Sequence, residues 1–542
     1  MKHDNFFTSA NRRGFLRQAA CAALGTAGMR NCLRDLHLMS AALATGAPTD
    51  YKALVCIFLA GGNDSNNLII PTIPTEYTNY ANIRTPVLAI PNADGTGATA
   101  QNLTKAAGGN YVDADGHTFG YNPAFAEIAA MFNNDNIADP NYLGKATTLL
   151  NVGNLVYPLT KAQYTGNSVA KPPQLFSHSD QVTQWQTSIP DVPPSTGWGG
   201  RVADILHTFN PQNAGHDSLS MCITIAGTNT FEVGANVQQY SVGTAGIVSL
   251  QNPSNPASAT TARQAALNAI LGVDKAQANL FTSNYALALD NSLSTGSSLS
   301  AGLSSSQMPT YYTTVANWSK TATANQIVTP NGGSTFTSGL MQQLKMVAQI
   351  IEAGYRAAGV SNGLGMKRQI FFVQVGGYDT HTNQTNNAGS TSTNNVNVVI
   401  GSQANLLTEL SQCIFSFQKA MKMIGMTYND LNFLNRVTCF TASDFGRTFP
   451  SNGLGSDHGW GSHHTIVGGA VNGRRTYGKF PTLAVGGPDD TNTGRWIPST
   501  AVDQYAATLA KWMGVGASNM ASVFPNVSRF ATADLGFMAP VV

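Results

Sequence analysis

The apolar positions of this chain follow two rhythms. Residues 52–60 are nearly continuous in apolar side chains, as expected of a parallel strand covered on both faces, and residues 147–152, 218–226, 369–375 and the run beginning at Val437 read as further strands. Between them the apolar positions return every three or four residues, the spacing of one helix face. Leu340, Leu344, Val347 and Ile351 mark a helix over 338–354, and Leu406, Leu410, Cys413, Phe417, Met421 and Ile424 mark a longer one. Residues 501–513 form a closing helix with Trp512 on its packing side, and shorter helices are expected around Trp185 and from Thr196 to about His207. Strand, helix and strand in succession imply right-handed parallel crossovers. The expected fold is therefore α/β, a mostly parallel central sheet flanked by helices on both faces. Residues 76–146 show neither rhythm clearly and read as irregular surface structure with short helices. Residues 227–333, rich in Ser, Thr, Asn and Ala, read as a peripheral insertion holding a helical stretch at 263–293 and a low-complexity run at 292–306.

Polar residues collect where the strands end. The first strand runs into Gly61-Gly62-Asn63-Asp64, a later one into Gly376-Gly377-Tyr378-Asp379-Thr380-His381, and the Val437 run into Asp444, followed by Asp457, His458, His463 and His464 among Gly455, Gly459 and Gly461. Open parallel sheets bind ligands outside the carboxyl ends of their strands, and glycines let the backbone turn tightly enough for side chains to converge. Taken singly, each Asp or His is better read as a turn former or a core residue. Three strand-end carboxylates with neighbouring histidines are harder to dismiss. Asp64, Asp379, His381 and Asp444, with His458, His463 and His464, form a donor set for one or two divalent metal ions. Imidazole suits zinc best, whereas the carboxylates also suit calcium, manganese or magnesium. Ser177-His178-Ser179 opens a helix, and either serine reads as an N-cap contributing about 1 kcal/mol or as a nucleophile at the helix's positive end. Arg201 and Arg447 read equally as arms for substrate oxygens or as structural ion pairs.

Composition narrows the partners. Charged residues make up 11% of the 542-residue chain and no basic patch is visible, which argues against a nucleic-acid partner. The formal charge of +2 belongs to the N-terminus, where Lys2, Arg12, Arg13, Arg17, Arg30 and Arg34 face only Asp4 and Asp35; the remainder is slightly acidic. Asn11-Arg12-Arg13-Gly14-Phe15-Leu16-Arg17, before the apolar residues 19–29 and the triplet Ala42-Leu43-Ala44, is a twin-arginine export pattern with cleavage expected near Ala44 or Ala47. The expected organisation is a signal segment at 1–47 and a single α/β domain at 48–542, carried by the twin-arginine translocase to a periplasmic or secreted location. Beyond the signal, no apolar run reaches the roughly 18 residues of a membrane span. Cys21 and Cys32 fall in the signal; Cys56, Cys222 and Cys439 fall in strands and Cys413 on an apolar helix face, so they read as buried small hydrophobes.

One set of motifs is specific by its order: Gly61-Gly62-Asn63-Asp64 with Asn67, Ser177-His178, Gly197-Trp198 with Arg201, Gly376-Gly377-Tyr378-Asp379-Thr380-His381, Ser443-Asp444-Phe445-Gly446-Arg447-Thr448, Asp457-His458-Gly459, and the closing helix with Trp512. Over almost the whole chain after the signal, this set resembles the DUF1501 family, a bacterial group usually carrying twin-arginine signals. That family is itself similar to the alkaline phosphatase and sulfatase superfamily, which implies metals at the ends of a mostly parallel sheet. By this resemblance Asp64 is the first-strand ligand, Asp379 and His381 a later ligand pair, Asp444 the aspartate of an Asp-His-Gly motif, and His464-Thr465 the His-Thr that closes the site. Phe445 stands where that motif has a histidine, so either His458 substitutes from the loop or one metal position is weak. Neither Ser177 nor Ser179 lies in a phosphatase or sulfatase nucleophile motif.

The function expected from the residues and the resemblance together is metal-dependent hydrolysis of a phosphate or sulfate ester, on a small molecule or a glycan, outside the cytoplasm. The rival expectation is a noncatalytic exported protein whose metal stabilises the fold or helps bind a surface glycan or partner.

Overall fold

A strand with no polar alternation needs a layer on each side, and the central strand of this protein has both. The computed structural model describes residues 50–91, 101–102, 110–211, 219–247, 257–275, 279–313, 326–329, 335–391 and 396–540. The twin-arginine pattern and the rest of segment 1–47 lie outside them. In chain order the strands of the main sheet are β1 (Lys52–Leu59), β2 (Lys145–Gly153), β3 (Cys222–Thr224), β4 (Tyr240–Ser241), β5 (Arg368–Val375), β6 (Val437–Ser443), β7 (Ser462–Gly468), β8 (Thr476–Tyr477) and β9 (Thr500–Ala501). They form a nine-stranded sheet ordered β8-β2-β7-β6-β1-β5-β3-β4, with β9 also paired to β2. The principal helices are α1 (His178–Thr187), α2 (Trp198–Leu206), α3 (Gly339–Tyr355), α4 (Ser402–Thr427) and α5 (Val502–Met513).

Successive β1 side chains point to opposite faces, and all eight are buried. Ala53, Val55 and Ile57 share a core with Leu340 and Leu344 of α3 and Leu407, Leu410 and Phe417 of α4. On the other face Phe58 meets Phe372, and Phe440 meets Trp185 of α1, Trp198 of α2 and Tyr505 of α5. The α/β expectation holds. The sheet is mostly parallel, with β1 parallel to both β5 and β6.

Register sets the position of the site. Leu59 pairs with Val375 on one side and Ser443 on the other, so β1, β5 and β6 end level at one edge. Strand β7 then returns antiparallel between β6 and β2. Because an antiparallel return starts at the edge where its partner ends, the 444–461 loop has both ends on that edge and hangs across the three strand termini.

The region 76–146 departs from expectation. It contributes the helix Pro74–Leu88 and the strand Phe119–Tyr121, which lies between Ile69–Pro71 and Gln101–Asn102 in a small three-stranded sheet. Tyr80, Phe119, Tyr121, Phe125, Ile128 and Phe132 are buried in the main core. Its strands are too short to show a period, and helix Pro74–Leu88 is interrupted at Thr85, where φ is +59°; burial comes from packing on other elements, as with helix Ala126–Asn133 on α4. In the insertion, helix Ala257–Lys275 packs on helix Leu280–Ser304, which in turn packs on α3. Most of the low-complexity run is thus helical. Its end is fastened by Glu352, which accepts from Ser306 Oγ at 2.5 Å and from the Gln307 N–H at 2.7 Å. Cys56, Cys222, Cys413 and Cys439 are free and buried. Among the described residues no helix is long and apolar enough to cross a membrane.

Candidate functional site

The three strand ends touch through glycine. Gly61 has a φ of +119°, and a Cβ there would lie 2.4 Å from the Asp379 nitrogen; one on Gly62, at φ +85°, would lie 2.5 Å from the Phe445 ring. Only glycine fits positions that combine positive φ with such contact. The Gly61 N–H donates to Asp444 Oδ1 at 3.1 Å, and the Asn63 N–H donates to Ser443 Oγ at 2.9 Å. The turns after β1, β5 and β6 are therefore one interlocked surface.

On this surface three histidines surround Asp379. His178, the first residue of α1, has Nδ1 2.7 Å from Asp444 Oδ2 and Nε2 3.6 Å from Asp379 Oδ2. His381 has Nδ1 2.9 Å from Asp457 Oδ1 and Nε2 3.2 Å from Asp379 Oδ1. His458 has Nδ1 2.8 Å from the Phe176 carbonyl and Nε2 3.3 Å from Asp379 Oδ1. Asp379 and His381 are 46% and 40% exposed, so the group opens to solvent.

The partners fix the tautomers. Carboxylates and a carbonyl only accept, so each Nδ1 carries a proton, and a ring that holds no second proton turns a lone pair on Nε2 toward Asp379. The Nε2 atoms of His381 and His458 stand 2.9 Å apart. Two lone pairs at that distance need a shared proton or a cation between them. Donation from the second ring nitrogen to a carboxylate or carbonyl is also how metal-binding histidines are oriented. Ligands about 2.0–2.1 Å from a tetrahedral ion lie about 3.3 Å from one another; the Nε2 atoms of His381 and His458 lie 3.2 and 3.3 Å from Asp379 Oδ1, and that of His178 lies 3.6 Å from Oδ2. Of these donors, His178, Asp379 and His458 lie mutually close enough to share one divalent ion, and His381 stands beside them.

Electrostatics runs the same way. Burial pushes the Asp379 carboxyl up, but the Arg447 hydrogen bond and charge, with His381 and His178, outweigh it and hold the pKa below the ordinary value. Burial also holds His458 below the usual imidazole range, against the pull of the Phe176 carbonyl. An ionised carboxylate beside a neutral imidazole is what a metal requires.

A family model described as "Protein of unknown function (DUF1501)" matches residues 51–494. The chain belongs to the DUF1501 family. No curated protein matches it.

Other residues expected at the site of this DUF1501 chain lie elsewhere or act differently. Asp64 is 2% exposed, pairs with the fully buried Arg84, and accepts from Gln384 Nε2 and from Asn66 Nδ2. It does not join the open cluster. Gln384 in turn accepts from Ser456 Oγ at 2.6 Å, so Asp64 secures the 444–461 loop from beneath. His463 and His464 are adjacent in β7 and so point to opposite faces of the sheet. His463 accepts the Asn151 N–H at 2.9 Å and stacks on Phe480, whereas His464 packs against Trp185 and Tyr505 with neither nitrogen bonded. Burial lowers both to about 3.

The serines and arginines are engaged within the protein. Ser177 is the N-cap residue of α1 by backbone, but its side chain makes no cap bond; Oγ donates to Asp180 Oδ2 at 2.6 Å, and Ser179 Oγ reaches the same oxygen at 3.3 Å. Between them His178 carries the contact to the cluster. Arg447 is fully buried, bonded to Asp379 Oδ1 at 2.6 Å and to the Gly61 and Ser456 carbonyls. Arg201 holds the carbonyls of Thr187, Thr196 and Val523. Arg84, Gln384 and the Phe176 carbonyl were not foreseen, and nothing in their local sequence marks them. A separate grouping, Asp113, Asp115 and His117, is a closed turn in which Asp113 Oδ1 accepts the Asp115 and His117 N–H groups and His117 meets Glu76.

Proposed function

We propose that this DUF1501 protein is an exported, metal-dependent hydrolase of phosphate or sulfate esters. One divalent ion, zinc by ligand type, would be held by Nε2 of His178 and His458 and by the Asp379 carboxylate, with His381 Nε2 beside them able to complete the set. The observation that carries this reading is the orientation of the three rings, each with Nδ1 tied to an acceptor and Nε2 turned on Asp379. Export rests on Arg12-Arg13 and the apolar segment behind them. The level strand ends support kinship with the alkaline phosphatase and sulfatase superfamily, but with a single-ion site, since Asp64 is occupied by Arg84.

When bound, the ion supplies Lewis-acid polarisation of an ester oxygen and acidification of a water molecule. The protein's part is orientation and charge. Asp444, Asp457 and the Phe176 carbonyl hold the imidazoles in the metal-binding tautomer. Arg447 keeps Asp379 ionised and fixed, so its carboxylate is placed to bind the ion or to accept a proton. Because Ser177 and Ser179 are both bonded to Asp180, a water molecule is the better attacking group.

A second reading is a noncatalytic exported metal-binding protein with a structural or surface-binding role. With His381 bound as a fourth ligand, three histidines and an aspartate would close a tetrahedral site with no open position, as structural zinc sites are closed. One experiment separates the readings. The chain is purified from the periplasmic fraction without chelator, its metal is measured, and it is tested on phosphate and sulfate esters, alongside Asp457→Asn. Expected are recovery from that fraction, about one ion per chain, turnover, and metal affinity about 10- to 100-fold weaker in Asp457→Asn. Metal without turnover selects the second reading. Absence of metal sinks both, and absence from the periplasm removes export.

A further inference from the structure

Three arginines, Arg84, Arg201 and Arg447, have their terminal nitrogens bonded to protein groups, and a fourth does not. Arg495 is half-buried, and its backbone is held by the Asp490–Trp496 bridge and by its carbonyl, which accepts the Thr491 N–H at 3.1 Å. The neighbouring Trp496 is buried and donates Nε1–H to Asn66 Oδ1 at 2.8 Å, so the segment is anchored in the frame beneath the site. Arg495 Nε donates to the His458 carbonyl at 2.7 Å, and the guanidinium lies over the Phe176 ring, 4.2 Å from its centroid. Phe176 in turn accepts the His458 Nδ1–H through its carbonyl. Arg495, Phe176 and His458 thus form one clamp at the margin of the candidate metal site.

The two terminal nitrogens of Arg495 make no hydrogen bond and no ion pair among the described residues. Arg447, Arg84 and Arg201, by contrast, have their terminal nitrogens on Asp379, on Asp64 or on backbone carbonyls. A guanidinium fixed at one nitrogen, stacked on a ring and open at the other two is a preorganised fork for a tetrahedral oxyanion. We infer that Arg495 receives the non-bridging oxygens of the substrate's phosphate or sulfate group. This rests on the ester-hydrolase reading of the neighbouring histidines, and it replaces Arg447 and Arg201 in the role of substrate arm.

The test is calorimetric titration of inorganic phosphate and inorganic sulfate into zinc-loaded wild type, Arg495→Ala and Arg495→Lys, with zinc stoichiometry measured on each. Loss of a charged fork should weaken oxyanion binding by about tenfold or more in Arg495→Ala, with zinc stoichiometry unchanged. Arg495→Lys should fall between, since it keeps the charge but loses the planar fork. Should Arg495→Ala not fold, Arg495→Lys decides by the same comparison. Equal oxyanion affinity in variant and wild type overturns the inference, as does a wild type that binds neither anion. If wild type takes up no zinc, the ester-hydrolase reading fails by itself, and the comparison on zinc-free protein still decides the role of Arg495.

Discussion

Asp64 and Asp379 leave adjacent parallel strands through the same kind of glycine pair, from ends that lie level in the sheet. Their fates are opposite. Asp64 turns inward onto Arg84, which is fully buried, and is closed by Gln384. Asp379 turns outward, nearly half exposed, and meets three imidazole nitrogens. Both carboxylates have an arginine, but Arg447 occupies only one side of Asp379, whereas the contacts of Asp64 enclose it. A strand-end aspartate thus marks delivery of a carboxylate to the sheet edge, and which cation reaches it first decides whether it is structural or available.

The strongest way to break that contrast is to remove the inward carboxylate's charge. Asp64→Asn leaves Arg84 buried without a counter-charge, which costs about 3–5 kcal/mol when one partner of a buried pair is lost. Asp379→Asn should cost less stability, because the Asp379 side chain is nearly half exposed and water can take the carboxylate's place beside Arg447, while its metal uptake should fall sharply. Urea unfolding of both variants, with metal content, tests the pair. Equal loss of stability in the two would show that Asp379 is as structural as Asp64.

The same contrast recurs among the histidines. His458 lies in the open loop, and His463 and His464 a few residues on are sealed in β7. Burial, with the neighbouring ring acting on His464, lowers both pKa values to about 3. Folded rings therefore stay neutral while unfolded rings take up protons near pH 6.5. Stability is full above pH 6.5 and falls as pH drops toward 3, by up to about 1.4 kcal/mol per pH unit for each ring. His464→Leu loses no hydrogen bond, so it should match or exceed wild type at pH 7 and shed one ring's share of the acid loss. His463→Leu leaves the buried Asn151 N–H without an acceptor and should cost about 1–3 kcal/mol. Unfolding midpoints from pH 7 to 4 check this. An unaltered acid slope in His464→Leu would mean that this ring already titrates normally.

How much of this was legible follows from what each signal reports. Residues 52–60 showed a doubly covered strand because burial on two faces leaves no polar position, and the structure gives Lys52–Leu59. Gly61 and Gly62 showed a tight turn because only glycine tolerates it. Asp379, His381 and His458 were recognisable as a donor set because they follow strand ends. The set included His463 and His464 as well, since spacing along the chain does not say that β7 begins at Ser462 and sends neighbouring side chains to opposite faces. Arg84 closing Asp64, Phe176 orienting His458 and Arg495 stacking on Phe176 are long-range pairings with no local pattern. The core role of Tyr80, Phe119 and Tyr121 was hidden for a related reason, as three-residue strands are too short to display a period.

The smallest expected effect belongs to Ser177, on the open side of the comparison. A side-chain cap would make Ser177→Ala cost about 1 kcal/mol, and a nucleophile would make it abolish turnover. The Oγ does not cap the helix in the folded chain, for it donates to Asp180 Oδ2 instead of accepting an N–H of the first turn, and it points its proton at a carboxylate three residues on. Ser179 reaches that same oxygen, so Asp180 keeps a hydroxyl partner when Ser177 is lost. Ser177→Ala should then change stability by no more than about 0.5 kcal/mol and leave metal content and ester turnover at wild-type levels. His178→Ala, one residue along, should instead lose metal, because its Nε2 faces Asp379. The decisive measurement is turnover per bound metal in the two variants. If Ser177→Ala abolishes turnover while holding its metal, the hydroxyl must leave Asp180 during the reaction, and the attacking group is the serine rather than water.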